Sequence, residues 1–146
     1  MDRLSKERRS WNMSRIRGRD TVPERQVRSI LHRMGCRFRL HVTELPGRPD
    51  VVLPRHRTVV VVHGCFWHRH TQCKFAYTPK SNLEFWRTKF SDNVARDRRT
   101  TAALKRLGWR VITVWECELG RPDKLRSRLN RLLAASAARA TRFRAT

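Results

Sequence analysis

Apolar positions along the chain switch between a helical and a strand period, and the switches divide it into elements. Val27, Ile30, Leu31 and Met34 recur at the three- and four-residue spacing of one helical face. Thr21-Val22-Pro23-Glu24 opens that helix, with Thr as cap, Pro in the first turn and Glu three residues after the cap. Gly35 closes it. Phe38 to Val42 predicts a strand, and Leu45-Pro46-Gly47-Arg48-Pro49 a turn. Asp50-Val51-Val52-Leu53 and Thr58 to Val62 are β-branched runs, the second continuous enough for a buried strand. Residues 63–80 show neither period. Ser81-Asn82-Leu83-Glu84 reads as a second capping box, opening a helix to about Leu107 that Gly108 closes. Trp109 to Trp115 alternates as a strand, and a last helix is expected around Lys124 to Ala135. The predicted order, α-β-β-β-α-β-α, makes an α/β fold: a mixed sheet flanked by helices, in one domain over residues 1–146. No repeat is visible.

Charge changes the picture most. Thirty-four Lys and Arg against 12 Asp and Glu leave a net charge of +22. An excess this large points to an anionic partner, nucleic acid first. Genome composition is a second source of it, because Arg outnumbers Lys 28 to 6. Residues 1–19 hold seven basic residues and read as a basic arm, and residues from about 136 to 146 as a basic tail. The first 20 residues lack the apolar stretch of a signal peptide. No apolar run approaches the roughly 18–20 residues that span a bilayer. A cytoplasmic, nucleoid-associated protein is therefore expected, with no membrane partner. Disulfides are rare there, so the four cysteines ask for a metal, a catalytic role or burial.

Three groupings could carry chemistry. Asp50 opens one strand and faces the end of its neighbour at Val62-His63, where a carboxylate can hold a divalent ion for phosphodiester cleavage. A lone Pro-Asp pair is more often just the end of a turn. In His63-Gly64-Cys65-Phe66-Trp67-His68-Arg69-His70, followed by Cys73, the spacing suits zinc, and Cys117 could complete a closed Cys3His set. Either His70 or His68 could be the ligand, the other remaining free for acid–base work. Phe66 and Trp67, in a predicted loop, and Trp86, in the long helix, could wedge between base steps or pack in the core. Met13, in the basic arm, is a wedge candidate too. By spacing alone Glu24 is a helix cap and Asp97 one member of a surface charge set with Arg96, Arg98 and Arg99.

Taken together, several stretches resemble the very short patch repair (Vsr) DNA mismatch endonucleases. They are Asn12-Met13-Ser14-Arg15-Ile16, Leu45 to Asp50, His63 to His68, Glu84-Phe85-Trp86, Asn93 to Arg99, Gly108 to Val111 and Val114 to Cys117, and they cover roughly residues 8–120. The resemblance implies a restriction-endonuclease-like fold of the PD-(D/E)xK type. It implies nicking of the T-bearing strand of a T:G mispair, 5′ to that T, where 5-methylcytosine has deaminated. By the same resemblance Asp50 is the direct Mg2+ ligand, joined by the Val62 backbone carbonyl. His68 is the general base, and Glu24, His63 and Asp97 hold metal-bound waters. Cys65, His70, Cys73 and Cys117 bind a structural Zn2+. Phe66, Trp67 and Trp86 form an aromatic wedge, with Met13 entering from the other groove and Arg15 in the DNA-binding arm. Val62 and His63 depart from what some relatives carry, Arg69, Thr71 and Gln72 have no assignment, and the tail is not covered. A monomer acting on mismatched duplex is expected, with mismatch-repair proteins as candidate partners. The alternatives are a restriction-type enzyme of the same fold that cuts normal duplex, and a non-catalytic zinc-containing DNA-binding module.

Overall fold

The computed structural model describes residues 21–144, with side chains as far as residue 135. The basic arm, with Met13 and Arg15, lies outside the described residues. The elements run α1 (Val22–Arg33), β1 (Arg39–Leu40), β2 (Val51–Leu53), β3 (Thr58–His63), α2 (Leu83–Arg106), β4 (Arg110–Trp115) and α3 (Pro122–Arg144). One-turn 3-10 helices at Pro54–His56 and Glu116–Gly120 add to the expected order.

The strands form one sheet in the order β1-β2-β3-β4. β1, β2 and β3 pair antiparallel, and β3 pairs parallel with β4, placing His63 beside Trp115. The parallel pair needs a crossover, and α2 supplies it. Period-two alternation splits the apolar residues between the two faces. Val51, Leu53, Val60, Ile112 and Val114 meet Val27 and Leu31 of α1 and Leu125, Leu129 and Leu133 of α3. Val52 and Val59 meet Leu104 of α2. β2 and β3 are thus covered on both sides, which is why they read as unbroken apolar runs.

Three expectations need correction. The strand predicted over Phe38–Val42 shrinks to Arg39–Leu40, because His41 takes a left-handed conformation with φ 50° and ends the pairing. The capping box at Ser81 does not form. Asn82 caps α2 in a left-handed conformation with no side-chain hydrogen bond. The last helix runs to Arg144 rather than stopping near Ala135, and its alanine-rich stretch sustains that continuation. At the other end of α2, Gly47 (φ +73°) brings the Leu45–Pro49 turn so close that a Cβ there would overlap the Thr100 side chain.

Candidate active site and metal centre

Asp50 stands at the entrance to β2, and the Val62 N–H of β3 donates to its Oδ2 at 2.8 Å. That bond anchors the carboxylate at the end of β3 where His63 follows. Glu24 is buried at 5% exposure and reaches the same place from α1. Its amide donates to Thr21 Oγ1 at 3.4 Å, as the cap predicts, but its carboxylate contacts Arg28 at 3.5 Å. Arg28 also lies 3.2 Å from His41 Nε2. Burial first, and then Glu24, raise Asp50 to about 6 against the pull of the Val62 bond. Two crowded carboxylates in a half-buried pocket fit a hydrated divalent cation, which would relieve both the repulsion and the desolvation.

The second group is His63, His68 and Asp97. Asp97 Oδ2 lies 2.6 Å from His68 Nδ1. A carboxylate accepts, so Nδ1 carries a proton, and in the neutral ring Nε2 is left with the lone pair. His63 stacks on His68 with centroids 3.9 Å apart and planes 6° apart. Burial, with the adjacent His68, pulls His63 down to about 4, so it is neutral at physiological pH. Ligand atoms of the three residues lie within 4.8 Å of one another. Rings stacked face to face aim their lone pairs in near-parallel planes, however, and do not converge on one ion. The geometry is that of an oriented base rather than a metal cage.

The third group decides between the histidines. Cys65, His70, Cys73 and Cys117 offer ligand atoms that all lie within 4.8 Å of one another, with His70 Nδ1 3.4 Å from Cys117 Sγ. Tetrahedral bonds of about 2.0–2.3 Å put such atoms roughly 3.5–4 Å apart, so the set fits a divalent ion. Burial pushes the Cys65 thiol up to about 12 and raises Cys117 as well. Cys73 is lowered, chiefly by its Phe75 backbone hydrogen bond, and a bound cation would favour the deprotonated form of all three thiols. His70 is therefore in the cysteine set and His68 is not.

The sequence profile of the family described as DNA mismatch endonuclease Vsr matches residues 1–74. The chain is 51% identical over 135 residues to the type II nicking enzyme V.XorIIP of Xanthomonas oryzae, covering 92% of this chain and 98% of that one. It is 47% identical over 117 residues to the DNA mismatch endonuclease Vsr of Escherichia coli, covering 80% and 74%. This chain belongs to the Vsr family of DNA mismatch endonucleases. Its fold is that of the catalytic domain of homing endonuclease I-Bth0305I, with a TM-score of 0.57, 23% identity, and coverage of 80% and 98%.

In this Vsr-family chain the three expected aromatics form one cluster. Phe66 packs edge-on against Trp67, Trp86 and Phe90 at centroid distances of 5.1–5.5 Å. Trp86 is buried at 7% exposure, while Phe66 and Trp67 are half-buried. The exposed rim is Tyr77, 5.0 Å from Phe66, and Phe85, 5.2 Å from Trp86.

Two residues of the Vsr-family site escaped sequence reasoning. Arg69 donates to the backbone oxygens of Ala76 and Tyr77 at 2.9 Å and to Thr78 Oγ1 at 3.3 Å, and lies 4.0 Å over the Phe90 ring. It clips the loop onto the aromatic cluster. Asn93 donates to the Trp67 carbonyl at 3.1 Å from α2. Its signal was present: Asn93 and Asp97 are four residues apart and face one way. Asp97 itself left the expected surface charge set to pair with His68.

Proposed function

We propose that this endonuclease nicks the T-bearing strand of a T:G mispair, 5′ to the T, with Mg2+ at Asp50 and a structural Zn2+ in the cysteine set. The observation that carries the chemistry is the 2.6 Å His68–Asp97 hydrogen bond beside the anchored Asp50. Asp97 fixes the tautomer of His68, leaving Nε2 to take a proton from the attacking water. Neutral His63 holds the face of the His68 ring. Asp50 and the Val62 carbonyl would hold the Mg2+, with Glu24, His63 and Asp97 accepting from its waters. When bound, that ion supplies positive charge against the negative charge gathering on phosphorus and the leaving oxygen. Four protein donors leave a Zn2+ no open position, so Cys65, His70, Cys73 and Cys117 serve the scaffold that presents His68.

The aromatic cluster of Phe66, Trp67 and Trp86, on the same loop and helix as His68 and Asp97, reads the mispair by entering the stack. Met13 and Arg15 of the arm, outside the described residues, are assigned by this proposal to the other groove and the phosphates. The enzyme acts as a cytoplasmic monomer, with mismatch-repair proteins as candidates to act around it. The test is a nicking assay with magnesium on duplexes carrying each mispair and on perfect duplex. Preference for T:G, with cleavage confined to the T strand, is expected. Equal cutting of both strands of perfect duplex would select the restriction-type alternative.

A further inference from the structure

Trp115 stands between the two clusters. Its ring stacks on His70 with centroids 4.2 Å apart and planes at 10°. It meets His63 edge-on at 5.3 Å. His63 stacks on His68, and His68 is bonded to Asp97. The run His70–Trp115–His63–His68 is thus continuous contact from the cysteine set to the base.

Trp115 is itself held rigidly. It is paired with His63 in the parallel β3–β4 register. Its amide donates to Glu118 Oε1 at 3.1 Å, and Arg128 of α3 donates to both Glu118 oxygens at 2.8 and 3.0 Å. Arg128 also donates to the Thr113 carbonyl at 3.1 Å. On this braced main chain the indole lies against both His63 and His70.

We infer that Trp115 is a positioning residue for His68, acting through His63, and that it links the geometry of the cysteine set to that of the base. This rests on His68 being the general base. The side chain on this path transmits position by packing, since the indole touches both rings.

The test is Trp115→Leu and Trp115→Phe, each alone and combined with His68→Ala, in steady-state nicking of a T:G duplex. Bound metal and melting are measured alongside. Trp115→Leu should lower kcat by about 10–100-fold, the scale of a base displaced by part of an ångström. KM should move less than about twofold, because the ring does not hold DNA. Trp115→Phe should recover most of the loss. In the His68→Ala background the Leu change should add nothing, since residues acting as a unit are non-additive. Independently of activity, the His63 and His68 ring-proton resonances should shift in the Leu variant, in protein without DNA.

A full additional loss from Trp115→Leu in the His68→Ala background overturns the inference. So does a loss of nicking that merely tracks loss of bound metal across the variants, which would confine Trp115 to the cysteine set. If Leu prevents folding, Trp115→Met is compared with Trp115→Phe, and equal kcat for these two overturns it. Near-normal nicking by His68→Ala alone would instead strike down the general-base reading.

Discussion

A half-buried carboxylate raised to about 6 is uncomfortable in the fold, and that discomfort is measurable at Asp50. Its ordinary value is 3.8. Between the two values the folded chain keeps a proton that the unfolded chain has released. Stability therefore falls as pH rises through that window, and the whole cost is in place above about pH 6. Asp50→Asn, which can still accept from the Val62 amide, should melt higher than the parent chain at pH 8 without added magnesium. The gap should close toward pH 4. The same change, like Asp50→Ala, should abolish nicking while leaving duplex binding nearly intact, the usual exchange of stability for function at an active site. His68→Ala should cost about 10²–10⁴-fold in rate. Parallel melting curves across pH and a single-turnover nicking assay check these outcomes. At this scale the sequence marked Asp50 as the residue that opens a strand without separating a metal ligand from the end of a turn, and it was ambiguous for His68 and His70. Both histidines sit in a stretch with no period, so nothing local says which way each ring points. Asp97 was opaque because its partner is 29 positions away.

Among elements, α2 does most to assemble the site. Trp86, Phe90, Asn93, Asp97, Thr100 and Leu104 follow a four–three–four–three–four spacing along one stripe of the helix. The stripe changes chemistry as it goes. Trp86 and Phe90 join the aromatic cluster, Asn93 and Asp97 hold the loop and His68, and Leu104 enters the core. The helix was visible in the sequence but its stripe was not, because polar residues at its centre hide an apolar period. With the proposed zinc bound, the loop at 64–78 would be held by the cation as well as by α2. Cys73→Ser should drop zinc below one per chain and lower the melting temperature, whereas Cys36→Ala, outside the cluster, should keep the metal. Elemental analysis and thermal melts decide. Full metal content and an unchanged melt for Cys73→Ser would remove Cys73 from the ligand set, and metal-free parent protein would remove zinc altogether.

At the level of the whole molecule, a charge of +22 gives strong binding to any duplex and therefore little discrimination. On the proposed reading, selectivity comes from the aromatic cluster, because unstacking a mispaired step costs less than unstacking a paired one. Trp67→Ala should weaken binding to T:G duplex more than to perfect duplex, with an unchanged salt slope. Neutralising a phosphate-binding arginine should weaken both alike and flatten that slope. Binding across a salt series on both duplexes separates the two. Equal weakening by Trp67→Ala would leave that ring a packing residue only. The mixed sheet with its flanking helices was accessible from the sequence, since β2 and β3 are apolar on both faces; the order of strands within the sheet was not. The short β1 and the long α3 were not, because a left-handed His41 and an alanine-rich continuation leave no sharp mark.

The turn at Gly47 rests directly on Thr100, three residues along α2 from Asp97. One end of that short span sets the approach to Asp50 and the other sets His68. The helix is thus a ruler laid between the proposed cation site and the base, with less than one turn between its two marks. Rulers tolerate substitution but not changes of length. One residue inserted between Asp97 and Thr100 would turn one mark away from the other by about 100°. Variation in chain length within this enzyme should therefore be accommodated in the loops and beyond α3, while the interval from 97 to 100 stays fixed in length.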